Sequence, residues 1–149
     1  MSDLHVWIGA VTVGANAAAA LIGAVAWLLW ANPKVFWLTL RAGQVLVIVS
    51  CVIGAVLLLE GRDLPRLHLV YALTPVAVSF LAEQLRIVTT PTFLEQRGLE
   101  GGKDVARLPK VEQEALVSAI LRRELAIMAT SAGVVATLVD VATTLPVVS

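Results

Sequence analysis

The chain has 149 residues, 58% of them apolar and 15% charged, and its mean hydropathy is +0.87. Soluble domains carry about 25% charged residues, and a chain this short has too little interior to bury several long apolar runs. The composition therefore excludes an ordinary water-soluble domain and indicates an integral membrane protein. The 11 basic and 11 acidic residues cancel, which leaves no overall charge to attract nucleic acid or an anionic substrate.

The first half of the chain begins with two apolar runs that are long enough to cross a bilayer, whose core of about 30 Å needs about 20 helical residues. The first run covers about residues 5–30. It is too long for the core of a signal peptide and no Lys or Arg precedes it, so we expect it to remain uncleaved. Asn32 and Pro33 break the helix, and a second span follows over about residues 36–59.

A third span is predicted over about residues 64–87, with Asp63 as its N-cap and Pro65 in its first turn. A polar extension follows over about residues 88–124, where Pro and Gly predict a helical overhang or short helix, a turn and a new helix start. The fourth span covers about residues 125–141. The prediction is one all-α domain, an integral membrane four-transmembrane-helix bundle with a cytoplasmic helical extension between helices 3 and 4.

The basic residues predict the orientation, because Lys and Arg are retained on the cytoplasmic side of the membrane. The second connection and the termini hold only Arg62 and Arg66. The other nine basic residues lie in or beside the first and third connections: Lys34, Arg41, Arg86, Arg97, Lys103, Arg107, Lys110, Arg122 and Arg123. We therefore expect a multi-pass protein with both termini outside. The excess of Arg over Lys in an Ala-rich chain is typical of a GC-rich bacterial genome, and the membrane we expect is the bacterial plasma membrane.

The polar residues of the third span fall on a single face. At 100° per residue, one stripe contains His68, Tyr71, Ser79, Glu83 and Arg86. The rest of the helix surface is almost entirely apolar and can face lipid. We therefore expect the stripe to point into the bundle.

The first and fourth spans carry small residues on one face, which allows helix backbones to approach closely in a membrane. In the first span this face also holds His5 and the mid-membrane amide of Asn16. In the fourth span it runs from Arg122 to Asp140 through Ala and Gly. Arg122 and Arg123 mark the point where the fourth helix enters the bilayer, at the depth where long basic side chains reach lipid phosphate.

His5 and His68 are the only histidines, and the predicted topology places both in the outer leaflet on interior faces of different helices. Two neutral imidazoles from facing helices are the axial ligands of a b-type haem. A redox protein that uses one haem, or a quinone, is therefore one alternative function. The competing interpretation is hydrogen bonding of the two rings at the interface.

Glu83 carries the second alternative, a small proton-coupled transporter, because an ionisable group inside a span is a functional candidate. Arg86 lies one helical turn away, and the arginines of the fourth helix lie at the same depth. We favour a structural ion pair at the cytoplasmic interface. The absence of any acidic residue from the middle of a span also counts against transport.

No catalytic residues and no metal site are predicted. The sequence holds no grouping typical of a hydrolase, no glycine-rich nucleotide motif and no HExxH. Its single cysteine, Cys51, excludes an intrachain disulfide and a thiolate-rich metal site. The leading prediction is an accessory, assembly or scaffold subunit that contacts the lipid bilayer and either other membrane subunits or further copies of itself, without binding nucleic acid.

Overall fold

The computed structural model describes residues 2–29, 34–61 and 66–144, and the regular structure within them is entirely helical. The all-α prediction is confirmed. The expected break at Asn32 and Pro33 and the expected cap at Asp63 and Pro65 lie outside the described residues. The helices are α1 (Ser2–Leu29), α2 (Lys34–Leu59), α3 (Arg66–Glu95), α4 (Gly102–Arg107) and α5 (Lys110–Thr144).

Helix α5 is the central element. It packs against α1 along one side and α3 along another, whereas α2 packs mainly on α1 and makes a smaller contact with α3. Half of the apolar window of α5 is buried inside the protein, compared with 28% for α1 and 17% for α2. Its buried face is turned away from the predicted small-residue stripe and shares only Ala129 and Ala136 with it, and Asp140, placed on that stripe by the sequence, is exposed. The core side chains of α5 include Leu125, Met128, Ala132, Val135 and Val139.

Two glycines allow α1 and α2 to pack closely on their neighbours. A Cβ atom at Gly23 would lie 2.6 Å from Ala129 Cβ and 2.7 Å from Phe36 Cε2. A Cβ atom at Gly43 would lie 2.9 Å from the Asn16 amide. Since carbon atoms in contact are normally about 3.5–4.0 Å apart, any larger residue at these positions would push the helices apart.

The polar extension is built from the end of α3, the short α4 and the first turns of α5. Helix α3 ends in a Schellman motif, in which Leu99 N–H donates to Leu94 O at 2.9 Å and Gly98 adopts φ 65°. The Gln113 side chain closes the turn into α5 by donating to Leu108 O at 2.8 Å. These bonds satisfy backbone groups at the helix ends, so the extension is an ordered hairpin.

Three helices are long and apolar enough to cross a membrane: α1 over Leu4–Leu29, α2 over Lys34–Leu59 and α5 over Lys110–Thr144. Helix α3 is not among them, because the polar stripe lowers its hydropathy. Its opposite face nevertheless exposes large apolar side chains, such as Phe80 at 62% and Leu73 at 61%. These findings support a membrane protein, and the fourth span remains a prediction.

Candidate functional site

The structure brings the two histidines together where the start of α1 meets the start of α3. The ring centroids of His5 and His68 are 6.1 Å apart, and the ring planes are tilted by 57°. His68 is buried, with 8% of its surface exposed, and His5 is partly buried. The sequence predicted that both rings face the interior, but the distance between them depends on how α1 and α3 dock on α5.

A cavity of about 40 Å³ lies beside the two rings and is walled by all four long helices. A water molecule needs about 10–15 Å³ measured in this way, so the cavity holds one to a few waters. The wall of the cavity is almost entirely apolar, although residues with polar groups also contribute to it: Ser50, Cys51, Tyr71 and Thr143.

The hydrogen bonds of the two imidazoles differ. Nδ1 of His68 lies 3.1 Å from Ala142 O, one of the last carbonyls of α5, which has no partner within its own helix. Because a carbonyl oxygen can only accept, Nδ1 carries the proton and the lone pair of the neutral ring is on Nε2. Nδ1 of His5 is buried and has no hydrogen-bond partner among the residues that the structure describes.

The space beside the rings is much smaller than a haem. The cavity that His5 and His68 line has the volume of a few waters, and the haem remains a prediction. Within the described parts of the chain, no group of three His, Cys, Asp or Glu side chains is placed to hold a metal ion. The outer site is therefore a pair of imidazoles around a small space.

A second polar site joins α2, α3 and α5 through ionised side chains. Glu83 forms salt bridges with Arg41 and with Arg86, the latter at 3.2 Å, and it accepts a hydrogen bond from Gln44 Nε2 at 3.2 Å. Arg86 also bridges to Glu124 of α5 at 3.2 Å. The Glu83–Arg86 pair expected from the sequence is present, and the complete network of two arginines and two glutamates has no net charge.

Aromatic rings cover the arginines at the same end of the bundle. The guanidinium carbon of Arg86 lies 4.7 Å from the centroid of the Trp37 ring, and that of Arg122 lies 4.5 Å from the Trp27 ring. A desolvated contact of this kind stabilises a buried or interfacial cation. Together with the salt bridges, these contacts stabilise the arginine side chains at this end of the bundle.

Beside Glu83, a groove of about 250 Å³ opens between α2 and α3, whose contact with each other is much smaller than that of α2 with α1 or of α3 with α5. Arg41 and Gln44 line its polar end, and Ser79 and Phe80 line the remainder. Since Glu83 is held by two arginines and an amide, its carboxylate is not a free group facing this groove.

The other predicted polar residues have separate positions. Asn16 donates to Thr12 O of its own helix at 2.9 Å and packs on α2. Tyr71 lines the outer cavity, and Arg123 lies 5.9 Å from the Phe93 ring, away from the salt-bridge network. The sequence did not predict the hydrogen bond from His68 to the Ala142 carbonyl, because an apolar residue near the end of a helix has no side-chain acceptor that would mark the position.

No family model, no curated protein and no solved structure matches this chain. The function must therefore be argued from the two polar sites and the surface of the bundle.

Proposed function

We propose that this chain is an accessory, assembly or scaffold subunit of a bacterial plasma membrane, with α1, α2, α3 and α5 all crossing the bilayer. In this arrangement both termini lie outside, and the polar extension at about residues 88–124 lies in the cytoplasm. The observation that carries the proposal is the pairing of the ionised groups of α2, α3 and α5 with one another, since a neutral, internally bonded network holds helices together without a substrate.

The outer surface of the bundle supports the membrane part of the proposal. Large apolar side chains are exposed on α1, α2 and α3, for example Leu21 at 69%, Leu38 at 75% and Phe80 at 62%. Patches of this kind on a soluble protein would be covered by a partner or would aggregate. Lipid tails or neighbouring membrane helices would cover them here.

The alternatives have weaker support. A transporter would need a carboxylate that exchanges a proton for a substrate, whereas Glu83 is bonded by Arg41, Arg86 and Gln44. A haem protein that uses His5 and His68 would need the side chains around the small cavity to move and make room for the macrocycle. No grouping of side chains in the described part of the chain suggests a catalytic reaction.

Cysteine labelling tests the four-span arrangement. In a Cys51→Ala background, Glu60→Cys and Gln96→Cys place single thiols at the two ends of α3. We expect a membrane-impermeant maleimide to label position 60 on intact cells and position 96 only after the membrane is opened. Labelling of both positions from the same side would show that α3 does not cross the bilayer.

Native extraction tests the subunit role. Polymer nanodiscs cut the chain out of its membrane together with its neighbours, and native mass spectrometry then gives their masses and stoichiometry. We expect a fixed ratio to a second polypeptide or to further copies of this chain. A lone monomer at the natural expression level would overturn the proposal.

A further inference from the structure

We propose that His5 and His68 form a two-coordinate site for a soft monovalent metal ion, Cu(I), at the outer end of the bundle. This inference does not depend on the proposed subunit role. It starts from the outer site, where two imidazoles with centroids 6.1 Å apart line a cavity much smaller than a haem.

The separation of the rings agrees with one shared ion. An imidazole nitrogen lies about 1.1 Å from its ring centre and binds a metal at about 2.0 Å, so two rings on opposite sides of one ion have centres about 6.2 Å apart. The centroids of His5 and His68 are 6.1 Å apart. Two nitrogens on opposite sides of a metal suit a d¹⁰ monovalent ion, which accepts linear coordination.

The hydrogen bonds prepare the rings for this role. The bond from His68 Nδ1 to Ala142 O fixes the tautomer and leaves the Nε2 lone pair to bind a ligand, as the outer hydrogen bonds of metal-binding histidines do. Nδ1 of His5 is buried without a partner among the described residues, so this nitrogen lacks a bond that an ion would supply. The cavity accommodates an ion of atomic size and excludes a large cofactor.

The surroundings favour a single charge. Among the residues that the structure describes, the cavity wall contains no Asp or Glu, and the cost of burying an ion rises with the square of its charge. A divalent ion such as Zn²⁺ would therefore remain uncompensated. The thiol of Cys51 lies in the same wall, bonded to Ala72 O at 3.5 Å, and such a soft donor is compatible with Cu(I).

The test is a Cu(I) titration of the full-length protein in nanodiscs, in competition with bicinchoninate under anaerobic conditions. All variants carry Cys51→Ala, so that thiol binding cannot imitate the site. We expect this background protein to bind one Cu(I) per chain. Adding His5→Ala or His68→Ala should weaken binding at least tenfold, whereas adding Tyr71→Phe, in the same wall, should change it less than threefold.

X-ray absorption of the Cu(I)-loaded background protein provides a second measurement that needs no histidine variant. We expect two nitrogen neighbours and the edge shape of linear Cu(I). No retention of Cu(I) against bicinchoninate would show that the rings only share a water. Unchanged binding in both histidine variants, or a spectrum without imidazole nitrogen, would equally overturn the proposal.

Discussion

Replacing Gly23 by Ala tests whether close helix packing holds α1 against its neighbours. The new Cβ would lie 2.6 Å from Ala129 Cβ and 2.7 Å from Phe36 Cε2, so α1 would have to move by about 1 Å to restore normal contact distances. Inserting a methyl group into a packed core costs about 1–3 kcal/mol. The lower conformational entropy of Ala in a helix offsets about 0.5–1 kcal/mol of this cost.

Gly14→Ala is the matched control in the same helix. A Cβ atom at Gly14 would have no neighbour within 4 Å, so this variant gains the helix-propensity term without the steric cost. The free energy of unfolding of the two variants should therefore differ by about 1–3 kcal/mol. Titration of SDS into mild-detergent micelles, followed by tryptophan fluorescence, measures this difference.

The double variant Gly23→Ala with Ala129→Gly distinguishes a clash from a general loss of helix contact. Removing the Ala129 methyl eliminates the shortest of the three contacts and leaves those with Phe36, so we expect part of the stability to return. Equal stability of Gly23→Ala and Gly14→Ala would refute the packing argument. A double variant whose two effects simply add would refute the assignment to Ala129.

Three further substitutions test other parts of the fold by the same unfolding assay. Glu83→Gln leaves two arginines without their shared carboxylate and should lower the free energy of unfolding by about 1–3 kcal/mol. Its control, Asp104→Asn, disturbs an exposed ion pair and should lower it by less than about 0.5 kcal/mol. Gly43→Ala should destabilise the α1–α2 contact, and Asn16→Ala in the same chain should recover most of the loss, since the amide is the group in the way. Met128→Ala empties a fully buried position of α5 and should cost about 2–5 kcal/mol.

Each of these expectations has a contradicting result. Equal losses in Glu83→Gln and Asp104→Asn would mean that the network at the end of the bundle contributes no more than a surface ion pair. A Gly43→Ala defect that persists with Asn16→Ala would place the clash elsewhere. A Met128→Ala protein as stable as the parent would contradict the central position of α5.

Several features of this protein were determined by the sequence alone, because they depend on composition and on the period of the helix. Apolar length and the lack of charge predicted long membrane-type helices. The 100° step aligned His68, Glu83 and Arg86 on one face of α3. The salt bridge between Glu83 and Arg86 followed from their spacing of three residues within one helix. It does not depend on how that helix packs against the others.

The arrangement between helices was decided only by the tertiary structure, because one sequence does not determine how far apart two helix faces come to lie. Docking on α5 sets the 6.1 Å between the rings of His5 and His68 and gives His68 a carbonyl partner near the end of another helix. It also links the Glu83 pair to Arg41 and Glu124. Packing against α1 and α3 buries a face of α5 that overlaps its small-residue stripe only at Ala129 and Ala136, since the neighbours of a central helix decide which side is covered.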